Sequence, residues 1–118
     1  MNMPEDKTKI FKALSDLSRL RILKALEIKM FCVCEIRELL NLANSTVSQH
    51  LKILKQSGFI IEEKEGKWVN YKINVNPKDK RVSSIIANLD FWINDKNIIV
   101  KDLKTVKKLN REIICKTL

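Results

Sequence analysis

The sequence predicts a mainly α-helical fold with one small β-hairpin, and three observations support this prediction. Apolar residues recur every three or four positions over most of the chain, as they do on the buried face of an amphipathic helix. Residues 59–75 are rich in aromatic and β-branched side chains, which alternate along the second half, and the turn Glu65-Gly66 divides this stretch into two strands. The 118 residues include two glycines and two prolines, which indicates a compact chain rich in helix.

Length and composition limit the class of protein. A chain of 118 residues fits one domain, 1–118, in which residues 5–76 form a core and residues 77–118 add further helices. No apolar run reaches the roughly 20 residues that span a bilayer, and the polar N-terminus does not resemble a signal peptide. We therefore expect a cytoplasmic protein without membrane contact, whose three cysteines are reduced. The formal charge of +9 favours a polyanionic partner.

Three short helices are predicted before the middle of the chain. The first covers about residues 5–14. The second follows a cap at Asp16 or Ser18 and runs to residue 28. The third begins at Cys32 or Val33 and ends at residue 40, and the residues between the second and third helices are expected only to connect them.

The fourth helix is predicted to begin with a cap at Asn44 or Ser45 and to end at Gly58. Its apolar residues recur at intervals of four and three, at Val47, Leu51 and Leu54. The other face carries Ser45, Ser48, Gln49 and Lys52. Such a face suits the DNA major groove, because glutamine bonds adenine, serine bonds base edges or phosphate, and lysine neutralises phosphate. The alternative is an ordinary amphipathic helix on the protein surface.

The hairpin follows this helix directly, as the wing does in a winged helix-turn-helix. Lys64 and Lys67 flank its tip, where a basic wing can contact phosphates or the minor groove. Alternatively, the hairpin only covers the core. After Pro77, two amphipathic helices at about 81–93 and 98–115 have apolar stripes without an evident partner. We expect these helices to form a dimer interface, to which Phe11 and Leu14 of the first helix contribute.

Three blocks in this order and at this spacing resemble the ArsR/SmtB family of winged-helix transcriptional repressors. They are FKALSDLSRLRILKAL, STVSQHLKILKQSGFI and EGKWVNYKI, and the resemblance covers about residues 10–73. It implies a homodimer that binds a palindromic operator, with recognition helices about 34–36 Å apart. We expect no enzymatic activity and no required cofactor, and a capping or packing role for His50 at the flank of the core face rather than base contact. By position it assigns base contact to Asn44, Ser45, Ser48 and Gln49, and we expect Thr46, Lys52, Lys64 and Lys67 to complete the DNA contacts.

The motif Cys32-Val33-Cys34 resembles the arsenic-sensing branch of that family, which implies arsenite or antimonite as the inducer. Thiolates are natural ligands for soft ions, and a helix N-terminus lowers the pKa of a thiol. Residues two apart in a helix point about 200° apart. One ion could therefore be held by both sulfurs only if the helix start were distorted, which would move the DNA-binding unit and lower its affinity.

Trivalent arsenic prefers three thiolates, so a third sulfur is needed beside those of Cys32 and Cys34. Arg37 stands where some arsenic repressors have another cysteine, and Arg37 cannot ligate, so Cys115 is the candidate. Cys115 could instead be an unliganded terminal residue, and the motif could be two buried small side chains. A repressor that senses redox state or another thiophilic metal, or that has no small inducer, also fits. An enzyme is not expected, since the chain has one histidine, and a protein–protein adaptor is the last alternative.

Overall fold

The computed structural model describes residues 3–93 and 96–109, with side chains from residue 8 onward. These residues form a helical protein with one small sheet, as predicted. None of the described helices is long and apolar enough to cross a membrane. In chain order the elements are α1 Met3–Leu14, α2 Leu17–Leu26, β1 Phe31–Cys32, α3 Val33–Leu40, α4 Asn44–Gln56, β2 Ile60–Glu65, β3 Trp68–Ile73, α5 Lys80–Ile93 and α6 Asn97–Val106.

The helix starts follow the predictions at α2 and depart from them at α4. Asp16 caps α2, where its Oδ1 accepts from the Arg19 N–H at 3.2 Å. The cap of α4 is Ala43, so the prediction of Asn44 or Ser45 is wrong. The left-handed Asn41 (φ 55°) ends α3 and sets the turn so that α4 begins one residue early. No side chain caps α4, which leaves its first N–H groups for solvent or for a phosphate.

The hairpin is part of a three-stranded antiparallel sheet of order β1-β3-β2. Phe31 pairs with Tyr71 and Cys32 with Asn70, so the segment predicted as a simple connection is a third strand. A two-residue strand has no periodicity from which a sequence pattern could identify it. The predicted hairpin itself is confirmed, with Glu65 opposite Trp68 beside the turn, and Gly58 adopts the expected left-handed conformation at φ 88°.

The last two helices pack on the rest of the same chain more extensively than predicted. Their apolar faces are buried, at Val82, Ile85 and Leu89 of α5 and at Ile99 and Val106 of α6. Two cations of α2 hold them: Lys24 pairs with Asp90 of α5, and Arg21 pairs with Asp102 of α6. The expectation that both stripes lack an intramolecular partner is therefore wrong. Phe11 of α1 and Trp92 of α5 remain exposed, at 64% and 53%, whereas Leu14 is half-buried.

Candidate nucleic-acid interface and thiol site

The two faces of α4 differ as the sequence predicts. Val47, Leu51 and Leu54 are buried against the core. All six α4 residues assigned to DNA contact are exposed: Asn44, Ser45, Thr46, Ser48, Gln49 and Lys52. The exposed face thus offers hydroxyl, amide and ammonium groups beside an uncapped helix N-terminus. Groups of these kinds can bond base edges and phosphate oxygens.

His50 connects α4 to the rest of the protein. It is half-buried, and its Nδ1 lies 3.1 Å from Nη1 of Arg19. Because a guanidinium can only donate, Nδ1 accepts and the ring proton is on Nε2, 4.0 Å from Oδ1 of Asp16. Arg19 also donates to the carbonyl oxygens of Lys12 and Ala13 at the end of α1. The sequence suggests packing for His50 but does not identify Arg19 as the residue that joins α1, α2 and α4.

The wing is less basic than predicted, because β2 and the turn contain three glutamates as well as Lys64 and Lys67. Each glutamate contacts a group on the same chain: Lys55–Glu62 at 3.0 Å, Lys72–Glu63 at 2.8 Å and Asn70–Glu65 at 3.2 Å. Lys64 and Lys67 are exposed and form no ion pair with any residue that the structure describes. Lys67 lies over the Trp68 ring, 4.9 Å from its centroid. The wing tip therefore presents two ammonium groups beside the Glu65 carboxylate, which accepts a hydrogen bond from the neutral Asn70 amide.

Cys32 lies at the point where β1 becomes α3. Its backbone N–H donates to Oε1 of Glu35 at 3.1 Å, and its sulfur accepts from the backbone N–H of Glu35. This reciprocal pair is a capping box in which cysteine takes the place of serine or threonine. Cys32 is 3% exposed and Glu35 4%. The sequence pattern did not lead us to Glu35, although its position three residues after the cap was a usable signal.

The pKa of Cys32 departs from the expectation for a helix N-terminus. Burial raises the pKa of this thiol, and the Glu35 carboxylate raises it further, whereas hydrogen bonds from the backbone N–H groups of Glu35 and Cys34 lower it. The result is a raised pKa, so the predicted lowering is wrong. Desolvation outweighs the helix N-terminus because the sulfur is covered by protein. Cys32 is therefore a protonated thiol at neutral pH.

Cys34 lies in the first turn of α3 and is half-buried. It is disulfide-bonded, so the expectation of three reduced cysteines is wrong for this residue. Cys32 keeps its thiol and takes no part in that bond. Cys115 lies outside the described residues, as does the end of the second predicted C-terminal stripe. Within residues 3–93 and 96–109, no group of three or more histidine, cysteine or acidic side chains is arranged to hold a metal.

The chain is similar to known DNA-binding regulators. Residues 16–62 match the family described as bacterial regulatory protein, arsR family. An uncharacterized HTH-type transcriptional regulator of Methanocaldococcus jannaschii is 43% identical over 91 residues, 76% of this chain and 98% of the relative. The arsenical resistance operon repressor of Bacillus subtilis is 36% identical over 78 residues, 65% of this chain and 70% of the relative.

A solved structure shows the same fold. It is a homodimeric winged helix-turn-helix DNA-binding domain from Mycobacterium bovis, 25% identical, with a TM-score of 0.64 over 75% of this chain and 79% of the other. Relatives and fold alike are those of DNA-binding transcriptional regulators and not those of enzymes.

Proposed function

The chain belongs to the arsR family of bacterial regulatory proteins, and we propose that it is a repressor that leaves its operator when trivalent arsenic or antimony binds Cys32 and Cys34. The observation that carries this proposal is the position of Cys32. It caps the helix that directly precedes the DNA-facing helix, so a ligand on its sulfur acts where α3 begins. The similarity to an arsenical resistance operon repressor supports the same inducer class.

The proposed DNA interface is the exposed face of α4 together with the wing tip. Two copies in a homodimer would place two α4 helices in successive major grooves of a palindromic operator, about 34–36 Å apart. The exposed Phe11 and Trp92 supply apolar surface for a dimer contact on α1 and α5, and the similar Mycobacterium bovis domain is a homodimer. In this arrangement the inducer acts on a DNA-binding surface, α4 with the wing tip, that is already folded.

The DNA half of the proposal is tested by the salt dependence of operator binding. Replacing Lys64 and Lys67 by alanine should weaken binding and reduce the slope of log affinity against log salt by about one for each phosphate that the wing no longer neutralises. Lys101, an exposed lysine of α6, provides the control, and Lys101→Ala should leave the slope unchanged. An unchanged slope in the double wing variant would remove the wing tip from the interface.

The sulfur chemistry is compatible with a raised thiol pKa. Arsenous acid exchanges a hydroxide for a thiol: an As–S bond forms, an As–O bond breaks, and the hydroxide leaves as water with the thiol proton. A protonated Cys32 is therefore a competent reactant. Cys34 has to be reduced first, because a sulfur in a disulfide cannot act as a thiolate ligand. We propose Cys115 as the third ligand.

Inducer binding and the capping box compete for the same atom. To share an ion with Cys34, the Cys32 sulfur has to turn away from the backbone N–H of Glu35. A net hydrogen bond of this kind is worth about 0.5–1.5 kcal/mol. The loss is of the same order as the roughly 1–3 kcal/mol that couples ligands in allosteric proteins. We therefore propose that opening this cap lowers operator affinity.

The inducer half is tested by titrating a labelled operator complex with arsenite after thiol reduction. The native protein should lose affinity by about 5–150-fold, the range that such coupling energies give. The variant Cys32→Ser with Cys34→Ser should bind the operator and ignore arsenite. Cys115→Ser should respond only at higher arsenite concentration if it supplies the third sulfur. A double variant that responds as the native protein does would contradict the proposal.

The disulfide at Cys34 favours one second candidate, a repressor of the same fold that senses redox state. In that case, oxidised and reduced protein would differ in operator affinity without any arsenite. The candidates are separated by measuring operator affinity of the oxidised and the reduced native protein, with Cys34→Ser protein under the same two conditions as the control. A response to oxidation that Cys34→Ser abolishes, together with no response to arsenite, would replace the first proposal by the second.

A further inference from the structure

The central strand of the wing lies directly against the thiol site. Cys32 is opposite Asn70 in the β1–β3 pair, and Asn70 is opposite Glu63 in the β2–β3 pair. Directly opposed residues of an antiparallel pair have Cβ atoms about 4.5–5.5 Å apart, on the same face of the sheet. The side chains of Cys32 and Asn70 are therefore neighbours, and both are almost completely buried, at 3% and 1% exposure.

Asn70 also contacts the tip of the wing. Its Nδ2 donates to Oε1 of Glu65 at 3.2 Å, diagonally across the β2–β3 pair. Glu65 is the last residue of β2, followed by Gly66 at φ 61° and by Lys67. Side chains alternate between the faces of a strand, which places Cys32, Asn70 and Glu65 on one face. One buried amide thus lies between the cysteine that caps α3 and the segment that carries the wing lysines.

The wing is also held less firmly than α4. Three aliphatic side chains bury α4 in the core, and the Arg19–His50 contact fixes it to α1 and α2. In β2 the first residue is buried and the other five are exposed. Segments with little buried apolar surface move at lower free-energy cost than packed core elements. A displacement that begins at Cys32 therefore meets less resistance in the wing than in α4.

We infer that Asn70 is the positioning residue through which the thiol site controls the wing. This inference rests on the proposed function. When the Cys32 sulfur turns toward a soft ion, it leaves its place beside Asn70, the amide loses its fixed position, and the Glu65 end of β2 is released. Lys64 and Lys67 then no longer hold a fixed position against the phosphates, and the operator dissociates without displacement of α4 from the core.

The test measures the ratio of operator affinities without and with arsenite on reduced full-length protein. In the native protein we expect this ratio within the roughly 5–150-fold range of allosteric coupling. Asn70→Val removes the amide but retains a strand-forming side chain, and should lower the ratio to below about threefold while arsenite still binds. Glu65→Ala removes the acceptor from the exposed side of the wing, so it gives the same test without a change in the core. Lys72→Gln, on the same strand and face, is the matched control and should retain the native ratio.

A second measurement detects movement of the wing itself. The chain has two tryptophans, so Trp92→Phe leaves Trp68 at the start of β3 as the single reporter. Arsenite should shift Trp68 emission in this protein and should leave it unchanged when Asn70→Val is added. A purely structural role for Asn70 would lower stability without removing this response to arsenite.

The outcomes separate the two levels of the proposal. A native protein whose operator affinity ignores arsenite overturns the proposed function, and this inference with it. A native protein that responds, together with Asn70→Val and Glu65→Ala proteins that respond equally, overturns the role of Asn70 alone. The coupling of the thiol site to the wing through Asn70 is supported if both variants show a lowered affinity ratio and no arsenite-dependent shift of Trp68 emission, while Lys72→Gln retains the native ratio.

Discussion

The two ends of α3 are held in different ways. At its N-terminus, Cys32 and Glu35 form a capping box between residues three apart in sequence. At its C-terminus, Nη2 of Arg21 donates to the Leu39 carbonyl at 3.3 Å, while the same guanidinium makes a bidentate pair with Asp102 of α6 at 2.7 and 3.0 Å. The first end depends on a buried thiol and the second on an ion pair with the buried Asp102.

This difference indicates which end of α3 can move. A thiol can exchange a hydrogen bond for a bond to a soft ion, so the N-terminal end can open in response to a ligand. The Arg21–Asp102 pair joins residues 81 positions apart and ties α3 to two other helices. We therefore expect α3 to pivot about its C-terminal end when the inducer binds. Substitutions at the two ends test this asymmetry, from the largest expected effect to the smallest.

Removing the anchor at the C-terminal end should have the largest effect on stability. Asp102→Ala removes a buried carboxylate and leaves Arg21, whose side chain is 15% exposed, without its partner, and breaking a buried pair costs up to about 3–5 kcal/mol. Urea unfolding of the reduced protein measures the loss. Glu63→Gln is the control, because the Glu63–Lys72 pair is exposed and such pairs contribute about 0–1 kcal/mol. Equal losses in both variants would show that the buried pair is not an anchor.

Removing the cap at the N-terminal end should have an intermediate effect. Glu35→Ala deprives the Cys32 N–H of its acceptor and should lower the free energy of unfolding by about 0.5–2 kcal/mol, as for other helix caps.

Because the Glu35 carboxylate also raises the pKa of Cys32, Glu35→Gln should lower that pKa. The pH dependence of Cys32 alkylation measures this change, in protein that also carries Cys34→Ser and Cys115→Ser so that one sulfur reacts. An alkylation profile that does not move would show that the carboxylate does not act on the thiol.

The smallest effect concerns pH. The pKa of Cys32 is raised above its ordinary value of 9.0, so the folded protein keeps a proton that the unfolded chain loses. The associated stability is fully present below pH 9 and is lost as pH rises toward the folded-state pKa. Melting temperatures at pH 8 and pH 10 should therefore differ more in the native protein than in Cys32→Ser. Melting temperatures that change equally with pH in the native protein and in Cys32→Ser would exclude a raised pKa of the Cys32 thiol.

The comparison of the two ends also shows what a sequence pattern can reveal. The helices, the hairpin and the two faces of α4 were predictable, because they follow from periods of three to four or of two residues. The capping box was equally local and was missed only because cysteine is an unusual cap. The cap of α4 could not be predicted in the same way. Ala43 has no side chain that can cap a helix, and its position is set by the backbone of the preceding turn.

What the sequence alone determined is the order of the helices and the hairpin, the exposed polar face of α4 and the two sulfurs near the start of α3. These depend on interactions within four residues. Tertiary structure decided that Cys32 is buried with a raised pKa, that β1 joins the wing at Asn70, and that α2 holds α5 and α6 through ion pairs. The physical reason is distance along the chain. Burial and pairing between residues 38 to 81 positions apart exist only after folding brings those segments together.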